Sequence, residues 1–360
     1  MTNKVIQENC HNGINMKAMQ ITAVCQLTPE SAALISSELP IPTPGRGELL
    51  VKVAVCGVCH TELDEIEGRT PPANFPVVPG HQVVGTVAGV GVDVTKFDTG
   101  DRVGVAWIFS ACGNCEYCQD GLENLCPDFQ ATGRDANGGY AEYMLVNENF
   151  ALAIPDVLSD EAAAPLLCAG AIGYRSIKLA DIGNGQPLGL TGFGASAHLV
   201  LKMVRREYPD TEVYVFARNP EEQTYALELG AIWAGATEDI PPKKLAAIID
   251  TTPVWKTIVC ALEHLQPNGR LVVNAIRKED RDKDYLAHLD YPKHLWLEKE
   301  IKSVANVTRR DVDEFLQLAA RLNLQPEVQF YPLDEANRAL CDLKFNKVRG
   351  AKVLRIGGSG

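Results

Sequence analysis

Long apolar segments and clusters of basic residues are both missing from this sequence. Its longest apolar stretches fall well short of the roughly 18 uninterrupted residues that a membrane-spanning helix requires. The N-terminal segment MTNKVIQENCHNGINMKAM also has no apolar core of the kind found in secretory signals. We therefore expect a cytoplasmic protein with no membrane partner.

The charge balance excludes a second class of partner. The chain has 34 Lys and Arg against 46 Asp and Glu, a net charge of -12 at pH 7. An acidic chain without a basic stripe is a poor ligand for nucleic acid or an anionic membrane surface. Its 46% hydrophobic and 22% charged residues are typical of a globular protein, and 360 residues are enough for about two domains.

Cysteine, by contrast, is plentiful, with eleven in the chain. Without a secretory signal, metal ligands and free thiols are favoured over disulfides. The stretch ACGNCEYCQDGLENLC has the spacing C-x2-C-x2-C-x7-C, formed by Cys112, Cys115, Cys118 and Cys126. Four such thiolates can surround Zn²⁺, although an iron–sulfur cluster, disulfides and idle thiols are the alternatives. A site closed by four protein ligands has no position for substrate, so we predict a structural zinc.

A second set of candidate ligands lies outside this loop. Cys59 occurs in VAVCGVCHTELDEIEG, His81 in FPVVPGHQVVGTV, and Cys168 in APLLCAGAIGY. One His and two Cys around zinc leave a fourth position open for water or an alcohol, as in a catalytic site. The alternative for each residue alone is a core or surface side chain, and we assign four further cysteines to that class: Cys25, Cys56, Cys260 and Cys341.

The middle of the chain alternates between strand and helix patterns. LGLTGFGASAHLVLKMVRREY predicts a strand, a glycine turn and a helix, with Gly192, Gly194 and Ala197 matching G-x-G-x-x-G/A. Strand patterns recur in TEVYVFAR, AAIIDTT and RLVVNAI, with helix patterns between them. The repeated units predict an α/β class with a doubly wound parallel sheet, a Rossmann domain that binds a dinucleotide.

The end of the second predicted strand bears on coenzyme choice. NAD sites usually place an acidic residue there, whereas NADP sites omit it and offer an Arg to the 2'-phosphate. VYVFARNPEE has Ala217 at the expected place, followed by Arg218. The sequence therefore favours NADP(H), with NAD(H) and a solvated Arg218 as the alternative.

Three motifs together identify a resemblance to a known family. GVCHTE followed by PGH, the four-cysteine stretch followed by GGYAEY, and TGFGAS resemble the zinc-dependent medium-chain alcohol dehydrogenase family from about Met19 to Leu354. The resemblance implies a GroES-like β-rich catalytic domain and an inserted Rossmann coenzyme-binding domain. We place the N-terminal extension at 1–16, the catalytic domain at 17–170, the Rossmann domain at 171–304 and the return to the catalytic domain at 305–360.

The resemblance also implies metal ligands. Cys59, His81 and Cys168 match the catalytic zinc ligands of the family, and the four-cysteine stretch matches its structural ones. Two Zn²⁺ per chain are therefore expected.

Other site roles follow from the resemblance. His60 matches a basic residue near the coenzyme pyrophosphate, and Thr61 matches the hydroxyl that bonds the substrate oxygen and starts a proton relay. Glu62 matches an acidic residue that orients a metal ligand, and Trp107 matches an aromatic wall of the substrate pocket. The alternatives are a surface imidazole for His60, a turn hydroxyl for Thr61 and a core position for Trp107.

The sequence departs from the family pattern near the metal ligands. Many relatives have Glu directly after the ligand His, whereas this chain has the neutral Gln82. Relatives with a complete relay often have His at the position of Asp64, which predicts a different route for the proton. Arg349 and Lys352 flank the position of a basic coenzyme-binding residue, and the sequence leaves open which one matches.

Together these features predict an NAD(P)-dependent zinc alcohol dehydrogenase or aldehyde reductase. Its expected substrate is a small primary or secondary alcohol, or the corresponding carbonyl compound. The alternatives are a polyol or aryl-alcohol dehydrogenase of the same fold, and a structural protein that binds zinc and a dinucleotide without turnover. The resemblance also implies a homo-oligomer, either a dimer or a tetramer.

Overall fold

A computed structural model describes residues 15–346 and 350–357 of the chain. Most of the predicted N-terminal extension, Arg349 and the last three residues lie outside the described residues. The chain divides into two compact units. Of the described residues, the first unit contains 15–110, 130–154, 328–346 and 350–357, and the second contains 111–129 and 155–327.

Strands predominate before residue 155, and helices and strands largely alternate after it. The strands are β1 (Asn15–Ile21), β2 (Leu34–Pro40), β3 (Glu48–Val58), β4 (Val83–Val90), β5 (Arg102–Val105), β6 (Ile108–Ser110), β7 (Gln130–Ala131), β8 (Tyr143–Asn147), β9 (Ala151–Ala153), β10 (Leu188–Thr191), β11 (Val213–Phe216), β12 (Trp233–Gly235), β13 (Leu245–Asp250), β14 (Leu265–Val273), β15 (Glu300–Ser303), β16 (Val328–Pro332) and β17 (Ala351–Arg355). The α-helices are α1 (His60–Ile66), α2 (Glu116–Gln119), α3 (Asp160–Pro165), α4 (Ala171–Ala180), α5 (Ala195–Glu207), α6 (Pro220–Glu228), α7 (Lys256–His264), α8 (Tyr291–His294), α9 (Arg309–Arg321) and α10 (Ala336–Phe345). Short 3-10 turns lie at Glu123–Leu125, Lys283–His288 and Leu333–Glu335, and a π-helical turn at Leu166–Gly170.

The first unit is built around a mainly antiparallel sheet. Its strand order is β16-β17-β3-β4-β5-β9, and β8 also pairs with β3. Strand β3 (ELLVKVAVCGV) is apolar and buried along most of its length because it lies at the centre of this sheet. In the antiparallel pair of β3 and β4, Cys56 faces Val83. The end of β3 and the segment entering β4 therefore lie side by side, and these are the segments that carry Cys59 and His81.

The second unit contains a six-stranded parallel sheet. Its order is β12-β11-β10-β13-β14-β15, which in chain order is 3-2-1-4-5-6. That order is the doubly wound Rossmann arrangement, and it confirms the predicted parallel sheet. Strands β10 and β13 are buried along their whole length, as expected when helices cover both faces. In the described ranges, no helix has the length and apolar character of a membrane span.

The predicted domain limits at 170/171 and 304/305 stay a prediction. By compactness, the four-cysteine loop, residues 155–170 and helix α9 belong with the parallel sheet. The segment SVANVTRRD, where we expected the return, leads into α9, and the chain re-enters the first unit at Val328.

Candidate functional site

A cysteine and a histidine meet at the end of strand β3 in the first unit. Cys59 directly precedes helix α1, and His81 lies two residues before β4. The Sγ of Cys59 is 3.7 Å from the Nε2 of His81. The His81 side chain is buried, whereas Cys59 is half-buried. A thiolate and an imidazole at this separation are suited to share a metal ion.

The start of helix α1 fixes the orientation of Cys59. The Thr61 N–H donates to the Cys59 sulfur at 3.3 Å, and the Cys59 N–H donates to Glu62 Oε2 at 2.8 Å. The arrangement is a capping box, which satisfies backbone donors at the helix end. The Thr61 hydroxyl also lies 3.3 Å from the sulfur. The sulfur, the hydroxyl and the carboxylate are thus held by one helical turn, which brings three predicted site residues together.

Glu62 also holds the imidazole. Its Oε1 lies 2.8 Å from His81 Nδ1, and the two side chains are 0% and 1% exposed. Burial acts to lower the pKa of His81, but the negative charges of Glu62 and Cys59 raise it well above its ordinary value. A carboxylate on one ring nitrogen leaves the other nitrogen facing the sulfur, the usual arrangement behind a metal-bound His. The negative surroundings that favour a proton here equally favour a metal cation.

Trp107 packs against the same imidazole. Its ring makes an edge contact with His81, with centroids 5.0 Å apart. Trp107 is buried, and the guanidinium of Arg134 lies 5.5 Å from its ring centroid. The tryptophan therefore limits the movement of His81. Its predicted role as a wall of the substrate pocket stays a prediction.

The four-cysteine loop forms a separate cluster in the second unit. The sulfurs of Cys112, Cys115, Cys118 and Cys126 lie within 4.8 Å of one another. Those of Cys112 and Cys118 are 4.0 Å apart, and all four cysteines are free thiols. Sulfurs bound to one tetrahedral zinc at 2.3 Å would stand about 3.8 Å apart, so the cluster fits zinc. Backbone N–H groups of Asn114 and Cys115 lower the pKa of the Cys112 thiol to about 7, whereas burial raises the pKa of the Cys118 thiol to about 12.

The loop is attached to the start of helix α9. The buried Glu123 carboxylate accepts from both the backbone N–H and the Nε of Arg309 at 2.9 Å. The Asn124 amide donates to the Ala305 carbonyl at 2.7 Å. These contacts join segments about 180 residues apart in sequence, so no local pattern could have predicted them.

The glycine turn after β10 has the geometry that its motif predicts. Gly192 has φ +78°, and a Cβ there would lie 2.8 Å from the Thr251 hydroxyl. Gly194 precedes helix α5, and a Cβ there would meet nothing within 4 Å. Ala197 is buried, and no side chain among the described residues caps the helix. The first N–H groups of α5 therefore lack side-chain acceptors, as expected at a phosphate site.

The end of β11 carries no acidic group. Ala217 is buried and follows the strand, and Arg218 is exposed. Within residues 15–346 and 350–357, Arg218 forms no ion pair with a carboxylate. Asn219 accepts from the Glu221 N–H and caps helix α6. An unpaired guanidinium at this strand end is suited to bind an additional phosphate.

A buried ionic cluster that the sequence analysis missed lies beside the glycine turn after β10. Asp250, at the end of β13, accepts from the Thr191 hydroxyl and from the Lys278 ammonium. Both strands end at the position where the strand order of the sheet reverses, which is where doubly wound sheets bind ligands. The acidic residue in AAIIDTT, directly after an apolar strand, was the available signal.

The remaining predicted residues occupy different surroundings. Asp64 is buried and paired with Arg69. Lys352 lies in β17 opposite Val58 of β3, and burial lowers its pKa. His60 is exposed at the first position of α1. Cys168 lies in the second unit, half-buried in the π-helical turn, a feature often found at functional sites.

Comparison with known proteins gives consistent results. Residues 45–156 match the family model described as alcohol dehydrogenase GroES-like domain. The chain is 43% identical over 321 residues to a "probable alcohol dehydrogenase" of Mycobacterium tuberculosis, covering 88% of this chain and 91% of that one. It is 33% identical over 336 residues to an alcohol dehydrogenase of Geobacillus stearothermophilus, covering 90% and 96%. A solved cinnamyl alcohol dehydrogenase of Sorghum bicolor matches with a TM-score of 0.84 at 29% identity, over 96% of this chain and 99% of that one. The predicted fold class, a GroES-like domain with a Rossmann domain, is thereby confirmed.

Proposed function

Because the chain belongs to the zinc-dependent medium-chain alcohol dehydrogenase family and is an oxidoreductase, we propose that it interconverts small primary or secondary alcohols and their carbonyl compounds with NADP(H). The observation that carries this proposal is the contact of Cys59 with His81, whose imidazole is held by Glu62. Burying a carboxylate beside a thiolate and a histidine costs free energy unless a cation balances the negative charge. The arrangement is therefore suited to a metal that activates a substrate oxygen.

We assign two zinc ions to the chain. Cys59 and His81, with Cys168 as third ligand, are proposed to hold the catalytic zinc. The cysteine cluster at residues 112–126 is proposed to hold the structural one. When bound, zinc would supply Lewis-acid chemistry at the substrate oxygen, and a nicotinamide coenzyme would supply hydride-transfer chemistry.

The residues around Cys59 then handle the substrate proton. The Thr61 hydroxyl, fixed at the first turn of α1, is proposed to bond the substrate oxygen and to accept its proton while it passes its own hydroxyl proton to solvent water. Asp64 is engaged by Arg69, so we propose that it does not carry the proton onward. Glu62 keeps Nδ1 of His81 occupied, which presents Nε2 to the metal.

The coenzyme contacts are proposed from the second unit together with His60. The backbone at Gly192 and Gly194, with the small Ala197, would accommodate the pyrophosphate at the start of α5, and His60 would add a basic group to it. Ala217 leaves room at the end of β11, and Arg218 would pair with the 2'-phosphate of NADP(H).

Substitution of Ala217 by Asp tests the coenzyme preference. A carboxylate there repels the 2'-phosphate and accepts a hydrogen bond from the ribose hydroxyl of NAD(H). We expect the ratio of kcat/KM with NADPH to that with NADH to fall by at least about tenfold, or ~1.4 kcal/mol. Ala217→Asn is the control, because it adds the same volume without charge. An unchanged ratio in Ala217→Asp would contradict the assignment of Arg218.

A panel of alcohols tests the substrate class. Small primary and secondary alcohols, cinnamyl alcohol and a polyol would be assayed with both coenzymes, before and after chelation. We expect turnover to disappear on chelation, to return with Zn²⁺, and to be highest for the small alcohols. The similarity to the sorghum cinnamyl alcohol dehydrogenase supports the second candidate, an aryl-alcohol dehydrogenase, which predicts the highest kcat/KM for cinnamyl alcohol.

The same panel tests the alternative that the protein is not an enzyme. A structural protein that binds zinc and a dinucleotide would bind NADPH but turn over none of the alcohols. Assembly into a dimer or tetramer stays a prediction from the resemblance.

A further inference from the structure

The first unit contains a buried carboxyl group that the proposed function does not use. The side chain of Glu65 is fully buried, and neither carboxyl oxygen has a hydrogen-bond partner in the part of the chain that the structure describes. Burying a carboxylate without partners costs several kcal/mol or more, so native proteins contain very few such groups. An unpartnered group of this kind requires an explanation.

The position of Glu65 connects it to the metal ligands. It lies three residues after Glu62 on helix α1, and residues with this spacing share one face of a helix. The Glu62 carboxylate on that face touches His81. The hydroxyl of Tyr140, also fully buried, has no hydrogen-bond partner either. Burial and the charge of Glu62 raise the pKa of Tyr140, and the charges of Cys59 and Glu65 raise it further, so these side chains lie near one another.

The charges acting on Glu65 come from the same group of residues. Burial raises the pKa of Glu65 well above its usual range, and the charge of Glu62 raises it further. His81 and Arg134 act in the opposite direction. The protonation state of Glu65 therefore depends on the charge at the Cys59–His81 pair. A dication bound there favours the ionised carboxylate.

The residue next to His81 does not supply such a charge. Gln82 is buried and neutral, so the strand that carries the imidazole contributes no carboxylate of its own at that position. Glu62 and Glu65, two acidic groups that interact electrostatically with His81, both lie on helix α1.

We infer that Glu65 is a positioning residue that supplies a buried negative charge behind the Cys59–His81 metal site and strengthens retention of the metal. The inference rests on the proposed function, because it takes Cys59 and His81 as zinc ligands. Glu65 touches neither substrate nor coenzyme in this role. It acts through the ligand pair and its cation.

The test measures zinc release to a competing chelator from the holoenzyme and from Glu65→Gln. Of the two zinc ions in Glu65→Gln, we expect the one that dissociates more readily to bind about tenfold more weakly than in the wild type. Loss of a residue that supports a metal ligand usually has an effect of this size. The zinc of the four-cysteine loop serves as an internal reference and should be unchanged. Glu148→Gln is the matched control, because Glu148 is a buried carboxylate of the same unit that bonds the backbone N–H groups of Thr95 and Lys96.

Two further variants separate this role from a structural one. The double variant Glu65→Gln/Gln82→Glu restores one carboxylate at residue 82, next to His81. We expect its zinc affinity to lie within about threefold of the wild type. Glu65→Met preserves the volume without a polar group, so it should fold at least as stably and still lose zinc readily. Wild-type zinc affinity in Glu65→Gln or Glu65→Met, or no recovery in the double variant, would overturn the inference.

The outcome for Cys59→Ala distinguishes the two proposals. Loss of one zinc in that variant, with normal zinc retention in Glu65→Gln, removes the role of Glu65 alone. Full zinc content in Cys59→Ala removes the proposed catalytic site and the inference together.

Discussion

Replacement of Cys59 by alanine is expected to remove one zinc ion per chain and to lower kcat/KM for alcohol oxidation by about 10³-fold or more. The estimate follows because a Lewis acid supplies several kcal/mol of transition-state stabilisation, and each 1.36 kcal/mol is a factor of about ten. The variant loses the sulfur that caps helix α1 and faces His81. Zinc content by elemental analysis and steady-state kinetics with a small alcohol are the measurements.

The matched control is Cys25→Ala, because Cys25 is exposed and lies outside both cysteine groups. It should keep both zinc ions and wild-type kcat/KM. Circular dichroism of Cys59→Ala should match that of the wild type, since the backbone N–H of residue 59 still donates to the Glu62 carboxylate at the start of the helix. Turnover and zinc content equal to the wild type in Cys59→Ala would remove the proposed catalytic site.

Substitution of Cys115 by serine is expected to remove the other zinc ion and to reduce stability. Structural zinc contributes directly to folding free energy, because the unfolded chain cannot hold the ion in the same geometry. We expect the free energy of unfolding to fall by at least about 3 kcal/mol, which lowers Tm by roughly 6–12 °C in a unit of this size. Thermal unfolding and limited proteolysis of residues 111–129 are the measurements.

Asn114→Ala is the control for this second prediction, because Asn114 is exposed in the same loop and acts on Cys112 only through its backbone N–H. Its Tm and zinc content should equal those of the wild type. Turnover by Cys115→Ser below its Tm should persist, because the catalytic ligands are unchanged. If Cys115→Ser instead unfolds at the wild-type temperature with two zinc ions bound, the loop does not bind metal through this cysteine.

The clearest predictions from sequence concerned features that are local in the chain. The four-cysteine cluster was predictable because a short loop brings all four sulfurs together, whatever the rest of the fold does. The glycine turn was predictable for a similar reason: Gly192 must adopt positive φ, and only one turn separates its strand from helix α5.

Helix α1 shows where local pattern fails. Its sequence HTELDEI is mostly polar and is typical of a solvent-exposed helix. In the structure every residue from Glu62 to Ile66 is buried. Two of its acidic side chains pair with residues outside the helix, Asp64 with Arg69 and Glu62 with His81. The Glu65 carboxyl group has no hydrogen-bond partner among the described residues. No periodicity encodes partners of that kind.

The sequence by itself determined the four-cysteine loop, the parallel sheet with its glycine turn, and the family. Each of these is carried by residues close together in the chain or by motifs in a specific order. Only the tertiary structure decided that Cys59 lies against His81, that Trp107 packs on the imidazole, that Glu123 holds the four-cysteine loop to Arg309, and that Glu65 is buried. These contacts depend on strand register and packing between distant segments, which residue spacing does not specify.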